Sequence, residues 1–481
     1  MNAYLLTQTP LLTGFALLLI VASIWPRGQE KLSHAITVAA LVACAILTAL
    51  KLIPGDQFFG GAIRITIVGK ALAYAGLGLA LIAVILAEDY LAKVRIQGTE
   101  FRMVALALAL GLFHLPLAGD LATLFIAFEL VSIPSYVLAG FNHGDARSNE
   151  AGMKYLVLGM FASSLFLLGL VFLYGATGEI HLAAIQEKIG HMVADGDSSN
   201  LMMVKAALVF LLGALLFKTG VAPLHFWLPD VYEGSNLASL AFISVPVKIA
   251  SFGLLALMLW GPFAFLYKTW TPVLLGAAAC CALFGNLQAI AQTKLKRILA
   301  YSAVANAGFI LLSLLLNTAW AFLFYLVVYG LTSLGVLAAF MALGTRTSDV
   351  DTLDDLRGMG KKHPWLASGL TLLLFSLAGI PITGGFAAKF AVISEAFKPG
   401  LELSRGFLPI LVLSVVLGLV SFFFYFKLVR ALWFNGDDGS TVATEPSSRR
   451  LVWNSLFVLT LCVVAIIGLG LLMRLPGTPL R

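Results

Sequence analysis

Apolar runs of roughly twenty residues, divided by short polar breaks, fill this chain almost from end to end. A helix needs about 20 such residues to cross the hydrocarbon core of a bilayer. Within lipid each backbone N–H and C=O has to be paired inside the protein, so helical spans are the natural reading of such runs. They lie near 11–25, 34–53, 67–88, 103–118, 119–142, 151–175, 201–229, 237–260, 271–292, 298–317, 319–344, 366–397, 407–434 and 452–473. The pattern therefore predicts an all-α integral membrane protein of about fourteen transmembrane helices. The thinnest break is the one between the fourth and fifth runs, where only Ala118, Gly119 and Asp120 intervene. Residues 179–200 and 345–365 are loop-sized rather than domain-sized, and the first has room for a short surface helix. The segment 436–450, GDDGSTVATEPSSRR, reads as a flexible polar loop. The first run has neither a basic flank nor a small-residue cleavage site and reads as a retained helix.

Composition supports the lipid setting. Hydrophobic residues make up 60% of the chain and charged residues 11%, against roughly 25% charged in an ordinary soluble domain. The net charge of +7 does not point to nucleic acid, because the basic residues are scattered over short loops and form no single face. They report orientation instead. Loops after odd-numbered spans, with Arg27, Lys31, Lys93, Lys294, Lys361 and Arg449 among their basic residues, carry more Lys and Arg than the tails and the even-numbered loops. The positive-inside rule then puts the odd loops in the cytoplasm and both termini on the opposite side of the membrane. Cys44, Cys280, Cys281 and Cys462 lie in apolar runs without metal-ligand spacing, which argues against zinc, iron–sulfur and disulfide chemistry in this chain.

The informative residues are the charges within spans. A charge near the bilayer centre costs roughly 2.5–3.5 kcal/mol even on lenient insertion scales, so function is the default hypothesis there. Lys70, Lys205 and Lys427 lie close enough to helix ends to snorkel to the headgroups, and position alone would place Lys154 with them. Lys248 and Glu129 sit mid-span. Lys218 and Lys389 lie in long spans broken by Pro and Gly, LLFKTGVAPLHFWLPD and SLAGIPITGGFAAKFAVISEAF. Proline removes a backbone donor, and broken membrane helices belong where they line an enclosed, hydrated cavity. His225 follows Lys218 by seven residues, nearly two full helical turns, so a relay between them is geometrically possible if Pro223 does not rotate the face. His114 reads as structural. A lysine held in apolar surroundings gives up its proton more readily than one in water, and a carboxylate brought close reverses this. Buried Lys and Glu that move relative to one another therefore suit proton transport.

Five stretches carry a resemblance: LAGDLATLFIAFELVSIPSYVLAGF at 117–141, EAGMKYLVLGMFASSLFLLGLVFLYGATGEI at 150–180, FKTGVAPLHFWLPDVYEGS at 217–235, KLKRILAYSAVANAGF at 294–309 and LAGIPITGGFAAKF at 377–390. Together they resemble the subunit N family of bacterial NADH-quinone oxidoreductase, respiratory complex I, whose members are antiporter-like membrane subunits. The resemblance implies two inverted five-helix repeats with broken helices seven and twelve. On that frame 1–102 holds helices one to three, 103–260 the first repeat, 271–434 the second and 452–473 the last helix. It implies Glu129, Lys218, Lys248 and Lys389 as proton-path residues and adds Lys154, paired with Glu129 across helices five and six. Two departures stand out. Pro246 lies two positions before Lys248 where the family has a proline immediately before the lysine, and Asn306 stands where the family often has a histidine.

By this resemblance the chain is a proton-translocating subunit of a translocase that does no redox chemistry itself. NADH, FMN, iron–sulfur clusters and quinone are expected on other subunits, and the partners are the other membrane subunits of complex I and the lipid bilayer. The nearest alternatives are a subunit of a multisubunit sodium/proton antiporter or of a membrane-bound hydrogenase complex. A secondary transporter that binds a small anion at Lys218 and Lys389, and a purely structural scaffold, are more distant ones. The run DVYEGS after HFWLP favours subunit N.

Overall fold

The computed structural model describes residues 3–24, 30–49, 56–94, 96, 98–344, 349–398, 406–434 and 453–472. The polar segment 436–450 lies outside them. Chain order runs α1 (Ala3–Ile24), α2 (Glu30–Ala49), β1 (Gln57–Phe58), β2 (Ile63–Arg64), α3 (Ile67–Val94), α4 (Gly98–His114), α5 (Leu121–Ala139), α6 (Ala146–Thr177), α7 (Leu182–Asp195), α8 (Ser198–Thr219) and α9 (Leu228–Gly234). It continues with α10 (Leu237–Ser244), α11 (Pro246–Trp260), α12 (Tyr267–Ala291), α13 (Leu295–Leu315), α14 (Ala319–Leu343), α15 (Met359–Lys362), α16 (Pro364–Ala378), α17 (Gly384–Ala396), α18 (Phe407–Phe434) and α19 (Trp453–Leu472). Among the described residues 12 helical segments are long and apolar enough to span a membrane. With α1 and the α16–α17 pair they account for every run read from the sequence.

The chain forms two compact units. The first holds residues 1–84, 96–220 and 234–272, and the second holds 85–95, 221–233 and 273–481. In the first, α4 packs on α5, α6 on both α5 and α8, and α1 on α2 and α4. In the second, α14 is the hub, against α13, α16, α17 and α19. The two halves of span eight, α10 and α11, are almost wholly buried, whereas α6 and α18 turn rows of large apolar side chains outward. A helix apolar all round needs either a protein core or lipid about it.

The thin break after span four is real. A 3₁₀ turn at 115–117 ends that span, and the Asp120 carboxylate accepts a hydrogen bond from the Thr123 N–H (2.7 Å) to cap α5. Strands β1 and β2 form an antiparallel hairpin that the sequence reading did not find. Their two-residue length is too short for an alternating pattern to register. Bridges Ile63–Ala118 and Asp120–His181 tie the hairpin, the start of α5 and the approach to α7 together. Helix α7 occupies the stretch given room for a surface helix. It buries Leu182, Ile185 and Ile189 and exposes Glu187.

Spans seven and twelve are interrupted as expected. Helix α8 stops at Thr219 with Gly220 at φ 68, and α16 stops at Ala378 with Gly379 at φ 88. A third interruption splits span eight. Val245 leaves helical geometry at φ −124 and ψ −74, and Pro246 opens α11. Proline has no N–H to offer the Phe242 carbonyl, so the ladder cannot continue through it.

Candidate functional site

Lys218 lies in the last turn of α8, where the unpaired carbonyls and the helix dipole favour a cation. It is 3% exposed. Its ammonium donates to Ser132 Oγ (2.8 Å), while the Ser132 hydroxyl donates in turn to the Phe128 carbonyl (2.7 Å). Three rings surround it, with centroids at 4.8 Å (Tyr136), 5.5 Å (Phe128) and 5.6 Å (Tyr155). A desolvated cation gains about 2 kcal/mol from such a ring, so the cage makes burial of the ammonium tolerable without a contact ion pair. The Glu129 carboxylate lies within electrostatic range of this ammonium. Its Oε1 is buried and accepts no hydrogen bond from the protein. Residues 129, 132 and 136 recur at helical spacing on α5, which brings carboxylate, hydroxyl and phenol to one face.

Lys248, also 3% exposed, lies in the first turn of α11, directly after the break. Its setting is the reverse of that of Lys218, because the amino end of a helix disfavours a positive charge. The two lysines belong to the same compact unit.

In the second unit Lys389 sits on α17 and reaches back to the end of α16. Its ammonium donates to the Leu377 and Ala378 carbonyls, both at 3.0 Å. These are carbonyls that the helix end leaves without intrahelical partners. Gly379 permits the approach, since a Cβ there would lie 2.9 Å from Lys389 Cδ and the backbone is left-handed. Two cavities flank the lysine, each with room for about one water. Asn306 borders both. It accepts from Tyr325 Oη (3.1 Å) and donates to the Ser302 carbonyl (2.9 Å), and the Ser302 hydroxyl is paired with Tyr425. Asn286 Oδ1 and Ser414 Oγ, on the wall of the first cavity, have no protein partner. Polar walls around a water-sized space are where buried water resides.

Residues 118–418 match the family model described as "NADH:quinone oxidoreductase/Mrp antiporter, TM". The NADH-quinone oxidoreductase subunit N of Azoarcus sp. (strain BH72) is 32% identical over 455 residues, covering 91% of this chain and 89% of that one. Subunit N 1 of Herpetosiphon aurantiacus is 36% identical over 394 residues, covering 81% and 78%. The chain belongs to the NADH-quinone oxidoreductase subunit N family. In structure it is similar to a chain of respiratory complex I from Thermus thermophilus, with a TM-score of 0.77 at 30% identity over 97% of each chain. The antiporter-like membrane fold expected from the sequence is therefore the fold of this subunit N family member.

Within that family frame, the structure gathers Glu129 and Lys218 into one cluster and corrects the placement of two other residues. Lys154 was expected to pair with Glu129. It pairs instead with Glu150, one turn earlier on α6 (2.7 Å), with its side chain 43% exposed. One residue further on, a 100° rotation of the helix carries Tyr155 inward to full burial, so in the GMKY stretch the tyrosine reaches the Lys218 cage. The seven-residue helical phase from Lys218 to His225 does not exist, because α8 ends at Thr219 and residues 222–227 form turns. His225 belongs to the second unit, with its ring 6.3 Å from Phe284 and 6.2 Å from Tyr301. Lys427 donates to the Gln292 carbonyl (3.1 Å) just past the end of α12, and His114 bonds the Leu110 carbonyl (2.7 Å) as a structural residue. Ser132, Tyr136, Tyr155 and Tyr325 escaped the sequence reading. The helical spacing of 129, 132 and 136 was the one available signal.

Proposed function

We propose that this chain moves protons across the membrane as the subunit N of an NADH-quinone oxidoreductase, driven by redox chemistry on other subunits. NADH, FMN, iron–sulfur clusters and quinone belong to those subunits in this reading, and residues 103–260 and 271–434 act as the two repeats. The observation that carries it is the placing of ammonium groups at helix interruptions inside the protein. Lys218 sits in an aromatic and hydroxyl cage with a carboxylate in range, and Lys389 sits on freed carbonyls between two water-sized cavities. Glu129 acts as the movable counter-charge. When it nears Lys218 the ammonium keeps its proton, and when it withdraws the cage alone stabilises the charge less well. Lys248, at the unfavourable end of α11, is suited to a proton passed on rather than held. Lys154 and His225 take supporting places, Lys154 at the Glu150 pair and His225 beside Tyr301.

The intact complex in sealed vesicles tests this. Lys218→Ala and Glu129→Gln are expected to abolish proton pumping coupled to NADH oxidation while the complex remains assembled. Undiminished pumping by either assembled variant contradicts the proposal.

A further inference from the structure

Beyond these lysines, the second unit buries a carboxylate that none of the steps above employs. Glu395 is 4% exposed and lies in the last turn of α17. The inward stripe of that helix runs through Ala387, Ala388, Ala391, Val392 and Glu395. Ala388 lines one of the cavities beside Lys389. Seven residues and about 10 Å further along the same face comes Glu395. On the neighbouring helix α14, Tyr325 lines that same cavity, and Trp320 lies five residues, or about 7.5 Å, nearer the helix start. The Trp320 indole N–H donates to Glu395 Oε1 (2.9 Å), and the Lys398 ammonium donates to the same oxygen (2.6 Å). The Lys398 side chain is 60% exposed. The carboxylate thus lies on the face of α17 that borders the Lys389 cavity, about 10 Å beyond it, and is held by a cation that reaches solvent.

We propose that Glu395 is the proton-release group of the second unit. A proton leaves the Lys389 ammonium for the cavity water beside Asn306 and Tyr325, passes along further water admitted between α14 and α17 during turnover, and converts the Glu395 carboxylate to the neutral acid. The proton then passes to water at the membrane surface, and Lys398 closes again on the regenerated carboxylate, which Trp320 holds in both states. Lys398 works as the return spring. Its exposed chain swings off the neutral acid and returns to the anion, so the carboxyl group does not keep the proton. By the charge distribution of the loops, this end of α17 faces the periplasm, and a tryptophan at the head of α14 is in keeping with a membrane–water boundary. This inference rests on Lys389 carrying protons.

The test compares Lys389→Ala and Glu395→Gln in the intact complex, reading protons moved per NADH oxidised. It adds the infrared difference spectrum between resting and turning-over enzyme. Glu395→Gln keeps an acceptor for Trp320, is expected to lose as much pumping as Lys389→Ala, and removes a carboxylic C=O band. Glu395→Asp restores both. If Lys389→Ala loses pumping and Glu395→Gln does not, the release group is overturned and the Lys389 reading stands. If neither loses pumping, both fall. Trp320→Phe, which leaves the carboxyl group and removes one donor, is expected to shift the same band, and an unshifted band overturns the assignment even where the Gln variant does not assemble.

Discussion

At the residue scale, what distinguishes the buried lysines from ordinary membrane lysines is what each ammonium meets. Lys218 meets rings and one hydroxyl, and the space for them is set by a small residue opposite. A Cβ at Gly159 would lie 2.3 Å from Tyr136 Oη and 2.4 Å from its Cζ. Gly159→Ala therefore has to push the Tyr136 ring off its seat, at an overpacking cost of about 1–3 kcal/mol. The expected result is a severalfold drop in proton pumping by the assembled complex, with a lower midpoint of thermal unfolding. Outside the spans, Glu233 accepts hydrogen bonds from Lys294 and from Arg297 (2.8 Å), and Arg297 also reaches Asp230 (3.0 Å). Partial burial works to raise the Glu233 pKa, yet the hydrogen bonds and charges of Lys294 and Arg297 outweigh it and hold the carboxyl below the ordinary glutamate range. A lowered folded-state pKa means that the unfolded chain binds the proton first as pH falls. The stabilisation is thus complete above the ordinary glutamate range and is lost as the pH falls through the lowered value. Thermal midpoints measured against pH should fall more steeply on acidification for the wild type than for Glu233→Gln, which gives up the ion pairs at every pH.

At the scale of elements, the three interruptions use different means to one end. Gly220 and Gly379 end their helices by adopting left-handed geometry, and span eight breaks because Pro246 withholds a donor. The chain pattern showed the first two as long Pro- and Gly-broken runs. The third was legible only as a proline shifted from its usual place, and its effect on the backbone was not. Pro246→Ala supplies the missing N–H and lets α10 and α11 fuse, which would take Lys248 out of the first turn of a helix. The expected outcome is equal or higher thermal stability together with a severalfold loss of pumping. Equal pumping at equal assembly would show that the break serves packing alone.

For the whole molecule, the loop charges predict an orientation with both termini outside. A reporter enzyme that works only in the periplasm, fused at the carboxyl terminus, is expected to be active, and one that works only in the cytoplasm silent. The opposite pattern reverses the sense of the path proposed through Glu395. The division into two units places Glu129, Lys218 and Lys248 in one and Lys389, Glu395 and His225 in the other, so the side chains proposed to carry protons fall in both.

The sequence by itself determined that this chain lives in lipid, how many times it crosses and where two of its helices break, and it singled out Lys218 and Lys248 as lysines within spans. All of these follow from the period of apolar residues and the cost of charge in hydrocarbon, which are local properties of a run. Tertiary structure alone decided which way each side chain faces and what it meets. Lys154 turns out and Tyr155 in by a single residue step, Ser132 and Tyr136 become a cage only because α5 packs on α6 and α6 on α8, and Glu395 gains its partner from α14. A helix exposes every face to its own sequence equally, and only its neighbours settle which face is the inside.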